Sequence, residues 1–153
     1  MSQFSRLCTR ATLVLVALVC AAAPAAAQQA AGSIKAVAGA AFVVRGGQQI
    51  AASVGQDIYR DDTIKTTADG RVGLTLKDGT RLSLGGNTEV QLNAFAYSPA
   101  EGRLALALRV ARGVATYISG RIAALAPGSV KVETPTSVIA VRGTHLLIAV
   151  DQP

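Results

Sequence analysis

Asp69-Gly70-Arg71-Val72-Gly73-Leu74-Thr75-Leu76-Lys77-Asp78-Gly79-Thr80-Arg81-Leu82-Ser83-Leu84 runs through one pattern twice. Val72, Leu74 and Leu76 alternate with Gly73, Thr75 and Lys77, and after a second Asp-Gly pair Leu82 and Leu84 alternate with Ser83. A period of two sends alternate side chains to opposite faces of a strand, whereas a helix needs apolar residues three and four apart. The Asp-Gly pair returns after nine residues, which leaves two geometries open. One is a β-hairpin turning at Lys77-Asp78-Gly79-Thr80. The other is a solenoid in which copies too short to bury a face alone stack on one another.

The same period continues on both sides. Ile34, Val37 and Phe42-Val43-Val44 lead to Gly46-Gly47. Leu104, Leu106, Leu108 and Val110 alternate with Ala105, Ala107, Arg109 and Ala111, and Val130 and Val132 with Lys131 and Glu133. Asp69-Gly70, Asp78-Gly79, Gly85-Gly86-Asn87 and Gly128-Ser129 separate these runs and read as tight reversals. Short strands at regular spacing predict an all-β fold, a sandwich, barrel or small solenoid. Tyr97 to Arg103 and Ala123 to Pro127 read as irregular connections, the first an exposed loop built on Ser98-Pro99-Ala100-Glu101-Gly102.

The first residues read differently. Arg6 and Arg10, an apolar run from Ala11 to Ala23, and Pro24 before Ala25-Ala26-Ala27 have the layout of a secretory signal peptide, with cleavage expected after Ala27. The run of 13 residues is shorter than the roughly 20 that span a bilayer. Ala17 and Val19 before Cys20 do not make a lipidation site. Residues 28–35 read as an N-terminal lead and 36–153 as a single all-β domain. Both cysteines, Cys8 and Cys20, fall in the segment expected to be lost, so the exported chain has no disulfide and no thiolate chemistry. It would carry 13 basic and nine acidic residues, the basic ones scattered singly (Arg45, Arg60, Arg71, Arg81, Arg103, Arg121), and there is no Trp. Nucleic acid, which needs a basic stripe and stacking aromatics, is not an expected partner.

No residue set points to catalysis, a cofactor or a metal. Asp57, Asp61 and Asp62 form the densest acidic group, but without the bidentate acid and glycine of a calcium loop. They read as a solvated turn capping Thr63-Ile64-Lys65. His145, the only histidine, has neither a nucleophile elbow nor fellow zinc ligands, and reads as a residue of a half-buried strand. Asp78 and Glu89 are the acids nearest to a sugar-hydrolysing pair, which needs a separation of roughly 5 to 9.5 Å. Nothing in the sequence brings them together.

The last quarter reads Val132-Glu133-Thr134-Pro135-Thr136-Ser137-Val138-Ile139-Ala140-Val141-Arg142-Gly143-Thr144. Pro135 cannot donate a ladder bond, so it ends a strand or sits on an edge. Gly143 permits a bend before Leu146, Ile148 and Val150 resume the sheet. Arg142 is either a clamp on strand ends or an anion contact. Together with Gly55-Gln56-Asp57-Ile58, Asp61-Asp62-Thr63-Ile64-Lys65-Thr66 and Asp78-Gly79-Thr80-Arg81-Leu82, this block resembles the FecR domain family from about Ala36 to Val150. At Asp61 the family pattern has glycine.

The resemblance implies a periplasmic, non-enzymatic sensing module with a β-solenoid or β-roll fold. Regulators of this family also carry a cytoplasmic segment that controls a sigma factor, a membrane anchor and a transporter-contacting domain. The signal peptide and the end at Pro153 are departures from that pattern. The expectation is therefore an exported FecR-like domain, periplasmic or secreted, that binds an envelope protein partner without a membrane span, cofactor or metal. Self-association is the structural alternative, because Leu146-Leu147-Ile148-Ala149-Val150 is apolar on both faces and needs cover.

Overall fold

The computed structural model describes residues 28–143 and 145–151. The expected signal peptide, 1–27, lies outside the described residues. Twelve strands form a single sheet folded back on itself, so the all-β expectation holds. In chain order they are β1 (Gly32–Ala38), β2 (Ala41–Arg45), β3 (Gln48–Ala51), β4 (Asp57–Ile58), β5 (Thr63–Thr66), β6 (Arg71–Leu76), β7 (Arg81–Leu84), β8 (Glu89–Ser98), β9 (Arg103–Ile118), β10 (Val130–Glu133), β11 (Val138–Ala140) and β12 (His145–Val150). One helical turn, α1 (Arg121–Leu125), follows β9. Regular structure begins at Gly32, inside the stretch expected to be a loose lead.

The 16-residue β9 organises the rest. Its first half pairs with β8 on one side and β10 on the other, and its second half with β7 and β12. Two sheets result, ordered β4-β1-β6-β7-β9-β12 and β3-β2-β5-β8-β9-β10-β11, with β9 passing from one to the other. β1 and β2, β5 and β6, and β7 and β8 likewise divide between the two sheets. Bent strands thus stack with their corners in register along one seam, and the two sheets close like a hinged book over an apolar core. Val72, Leu74, Leu76, Leu82 and Leu84 face inward from one sheet, and Val43, Ile64, Val90, Leu92, Leu106, Leu108 and Val132 from the other. Burial of each such side chain stabilises the fold by about 1.5–3 kcal/mol relative to exposure.

The repeat at Asp69 to Leu84 resolves into a hairpin. Val72 pairs with Leu84 and Leu74 with Leu82, antiparallel, so the copies do not stack as solenoid coils. Among the described pairings only β9 with β10 is parallel. Of the reversals expected, Gly46-Gly47 is a two-residue hairpin turn with both φ positive, as a primed turn requires. Asp69-Gly70 and Gly85-Gly86-Asn87 are not reversals. They are corners between the two sheets.

The seam explains its residues. Thr66 Oγ1 donates to the Gly85 carbonyl at 2.6 Å and accepts the Thr88 N–H at 2.9 Å, tying one corner to the next. Thr88 Oγ1 accepts the Val114 N–H at 3.0 Å and faces the Gly86 and Val114 carbonyls. A hydroxyl both donates and accepts, so a buried threonine can satisfy two backbones where a corner interrupts the ladder. At Gly113 (φ 85°) the two backbones nearly touch, and an added Cβ would lie 2.5 Å from Thr88 Cα.

β8 was not anticipated as a strand. Val90 and Leu92 face inward, then the ladder slips at Asn93, and Phe95 and Tyr97 face inward opposite Leu106 and Leu104. A bulge inserts one residue and inverts the phase, which hides the alternation in the sequence.

Candidate functional site

Opposite the seam, the two sheets are joined by three crossings that form the mouth of the fold: Tyr59–Asp62 between β4 and β5, Ser119–Ser129 with α1 between β9 and β10, and Val141-Arg142-Gly143 between β11 and β12. The family-like block at residues 134–143 therefore builds the β10–β11 hairpin and the last crossing. Pro135 follows the end of β10, and Thr134 and Ser137 close the turn through the Thr134 N–H to Ser137 carbonyl bond at 2.8 Å.

The first crossing corrects an expectation. Asp62 is 1% exposed and lies in no solvated turn. Arg45 Nε and Nη2 donate to its two carboxylate oxygens at 2.8 and 2.7 Å, and the Tyr59 N–H donates to Oδ2 at 2.8 Å. Arg45 also reaches the Asp57 carbonyl at 2.9 Å and lies 4.4 Å from the centre of the Tyr59 ring. The bond to Asp62 raises the Arg45 pKa above its ordinary value. The arginine fork matches a carboxylate in geometry, and burial of the acid makes the match obligatory. Asp61 stands exposed beside it with φ 70°, a left-handed backbone that glycine adopts without steric cost.

At the second crossing Asp78 is buried and holds α1 in place. Its carboxylate accepts the Thr80 N–H and hydroxyl and, at 3.4 Å, the Ile122 N–H, while its carbonyl accepts the Arg121 N–H at 2.8 Å. An acid remote in sequence thus satisfies the helix donors that Gly120 cannot cap. Glu89, in contrast, is ion-paired with Lys65 and Arg112. It pairs along β9 at Arg112, whereas Arg81, beyond Asp78, pairs at Ile118, about 20 Å further along the strand at roughly 3.3 Å per residue. The two acids are not brought together for sugar chemistry.

Tyr117, fully buried beside Thr80 and Ser119, makes no hydrogen bond of good geometry through its hydroxyl, and burial raises its pKa above the ordinary tyrosine value. Below the unfolded tyrosine pKa of about 10 both states keep the proton. Above it only the unfolded chain releases the proton, so the wild type loses stability as pH rises toward the folded value. Tyr117→Phe is expected to change stability by less than about 1 kcal/mol at pH 7. It should lose less than wild type between pH 9 and 11. Urea unfolding at both pH values checks this, and parallel losses in the two proteins would refute it.

The remaining candidates are surface residues. Arg142 is exposed, and among the described residues no bond holds it to strand ends, so the clamp expected of it is not formed. His145 opens β12, a strand with one side partly buried as expected, and is itself exposed. Among the described residues no group of three or more His, Cys, Asp or Glu is placed to hold a metal, and no helix is long and apolar enough to cross a membrane.

Two features have the form of a binding surface. One is the C-terminal end of the stack, where β12 and β11 are the outer strands of their sheets. Leu147 there is 69% exposed and Val138 68%, with Ile139 and Val114 nearby on the same end. The other is a cleft of about 210 Å³ at the mouth, lined by Gln29, Lys77, Phe95, Tyr97 and Arg103. Sequence reasoning flagged the apolar C-terminal run but had no signal for the cleft, whose lining comes from segments far apart in the chain.

A folded-over antiparallel sheet with an exposed apolar end defines a β-rich scaffold. The chain belongs to the FecR protein family, whose pattern matches residues 62–153. Neither curated proteins nor solved structures gave a match. The family match places the chain among signalling and regulatory modules.

Proposed function

We propose that this chain is an exported, non-enzymatic interaction module of the cell envelope that docks an extended segment of a protein partner on β12. The observation that carries the reading is the state of the sheet edges. Natural edge strands are blunted by shortness, proline, bulges or charge. β4 has two residues, β11 has three and follows Pro135, and β3 has four. β12 has six residues, His145-Leu146-Leu147-Ile148-Ala149-Val150, in unbroken register with β9 and without charge or proline. Such an edge offers backbone donors and acceptors to an added strand, with Leu147 available as a side-chain contact. Signal-peptide cleavage after Ala27 and a periplasmic location belong to this proposal.

A photo-crosslinker at Ala149 of the tagged protein, expressed in its native envelope, tests it. A discrete partner peptide should attach at β12, and Leu147→Lys should reduce its yield at least tenfold while leaving the melting temperature unchanged. Crosslinks only to further copies of the chain, or a yield indifferent to Leu147→Lys, would replace partner docking by self-association or by another face.

A further inference from the structure

The mouth cleft is independent of the β12 edge. Its floor is Phe95 and Tyr97, carried onto the inner side of β8 by the slip at Asn93, and its walls are the Gln29-Ala30 backbone, the β6–β7 turn at Lys77, Ser98 and Arg103. The two charged residues that line it, Lys77 and Arg103, are both cationic. Lys77 is exposed and has no ion pair among the described residues. Its neighbour Asp78 is buried and turned onto Thr80 and α1. Glu101, the acid at the rim, pairs with Arg103, but both are well exposed, so exchange of that partner for a ligand costs little.

We propose that this cleft binds a phosphate monoester borne on a ring-sized body. A monoester carries a charge of about −1.5 to −2 near neutral pH, enough for the cations on both rims, and offers three acceptor oxygens. A single carboxylate would leave one rim unanswered. Gln29 and Ser98 supply neutral donors. The aromatic floor accepts the apolar face of the ring that carries the phosphate, and a cleft of about 210 Å³ has room for one such unit rather than a chain.

Amide chemical shifts of the isotope-labelled protein, titrated with glucose 1-phosphate and separately with glucose, provide the test. Glucose 1-phosphate is expected to give saturable shifts at Lys77, Phe95–Ser98 and Arg103, and glucose none. Lys77→Ala and Arg103→Ala, both at exposed positions, should each weaken binding about tenfold, the typical loss of one charge-assisted bond. Their unchanged remaining spectra would certify the fold. A second arm uses vesicles containing phosphatidylinositol 4-phosphate, whose phosphate monoester is also borne on a ring. Binding to these with the same dependence on Lys77 and Arg103, but not to the sugar phosphate, assigns the phosphate to a lipid surface. Equal response to glucose, affinity indifferent to both substitutions, or no response to either phosphate probe overturns the proposal.

Discussion

Gly113→Ala is expected to lower the unfolding free energy by about 2–5 kcal/mol, the sum of roughly 1–2 for a left-handed backbone and 1–3 for overpacking. The position has φ 85°, and an alanine Cβ would sit 2.5 Å from Thr88 Cα and 2.7 Å from the Asn87 carbonyl oxygen. Both obstacles are backbone, so no rotamer change relieves them. The corner must open instead, and it is the point where β9 leaves one sheet for the other. Its opening would separate Val114 from Thr88, whose hydroxyl bonds the Val114 N–H, and loosen the neighbouring corner. Gly55→Ala is the control. That glycine has nearly the same φ, 86°, but nothing within 4 Å of the added carbon, so it should lose only the backbone cost of about 1–2 kcal/mol. Urea unfolding of both variants measures the difference. Equal losses would mean that the seam is not closely packed.

The second large effect is an asymmetry. Arg45→Ala is expected to destabilise the fold by about 3 kcal/mol, the lower part of the range for stranding one member of a buried ion pair. Asp62→Ala should cost about half as much. The two partners differ in exposure: Arg45 is 38% exposed and can regain water, whereas Asp62 is 1% exposed and cannot. Without Arg45 the carboxylate retains the Tyr59 N–H and little else. Loss of Asp62 leaves that N–H and a solvated guanidinium, a smaller penalty. The double variant should then be less destabilised than Arg45→Ala alone. Chemical denaturation of the three proteins gives the cycle, and equal single losses would contradict the burial argument.

Alternation was enough to place β6, β7, the first half of β9 and β10, because the period of two is imposed by a core on one side of each strand. β8 escaped it because the slip at Asn93 inverts the phase midway. Glycine and aspartate marked most breaks in the ladder but could not distinguish a hairpin from a corner. Asp78-Gly79 turns a chain back on itself, whereas Asp69-Gly70 sends it across to the opposite sheet. That difference depends on the strand met next, which is not a local property. The exposed acids of the sequence reading were likewise ambiguous. Asp62 looks like any turn carboxylate until β2 brings Arg45 beside it.

By itself the sequence determined the class of fold, the spacing of its strands and the family, all of which follow from local periodicity and short motifs. Tertiary structure alone decided that the bent strands stack along one threonine-tied seam, that β12 is an edge strand among the described residues, and that Lys77, Phe95, Tyr97 and Arg103 share one cleft. Those outcomes depend on which strands pair, and strand pairing is set by burial of the whole core rather than by any segment's own preference.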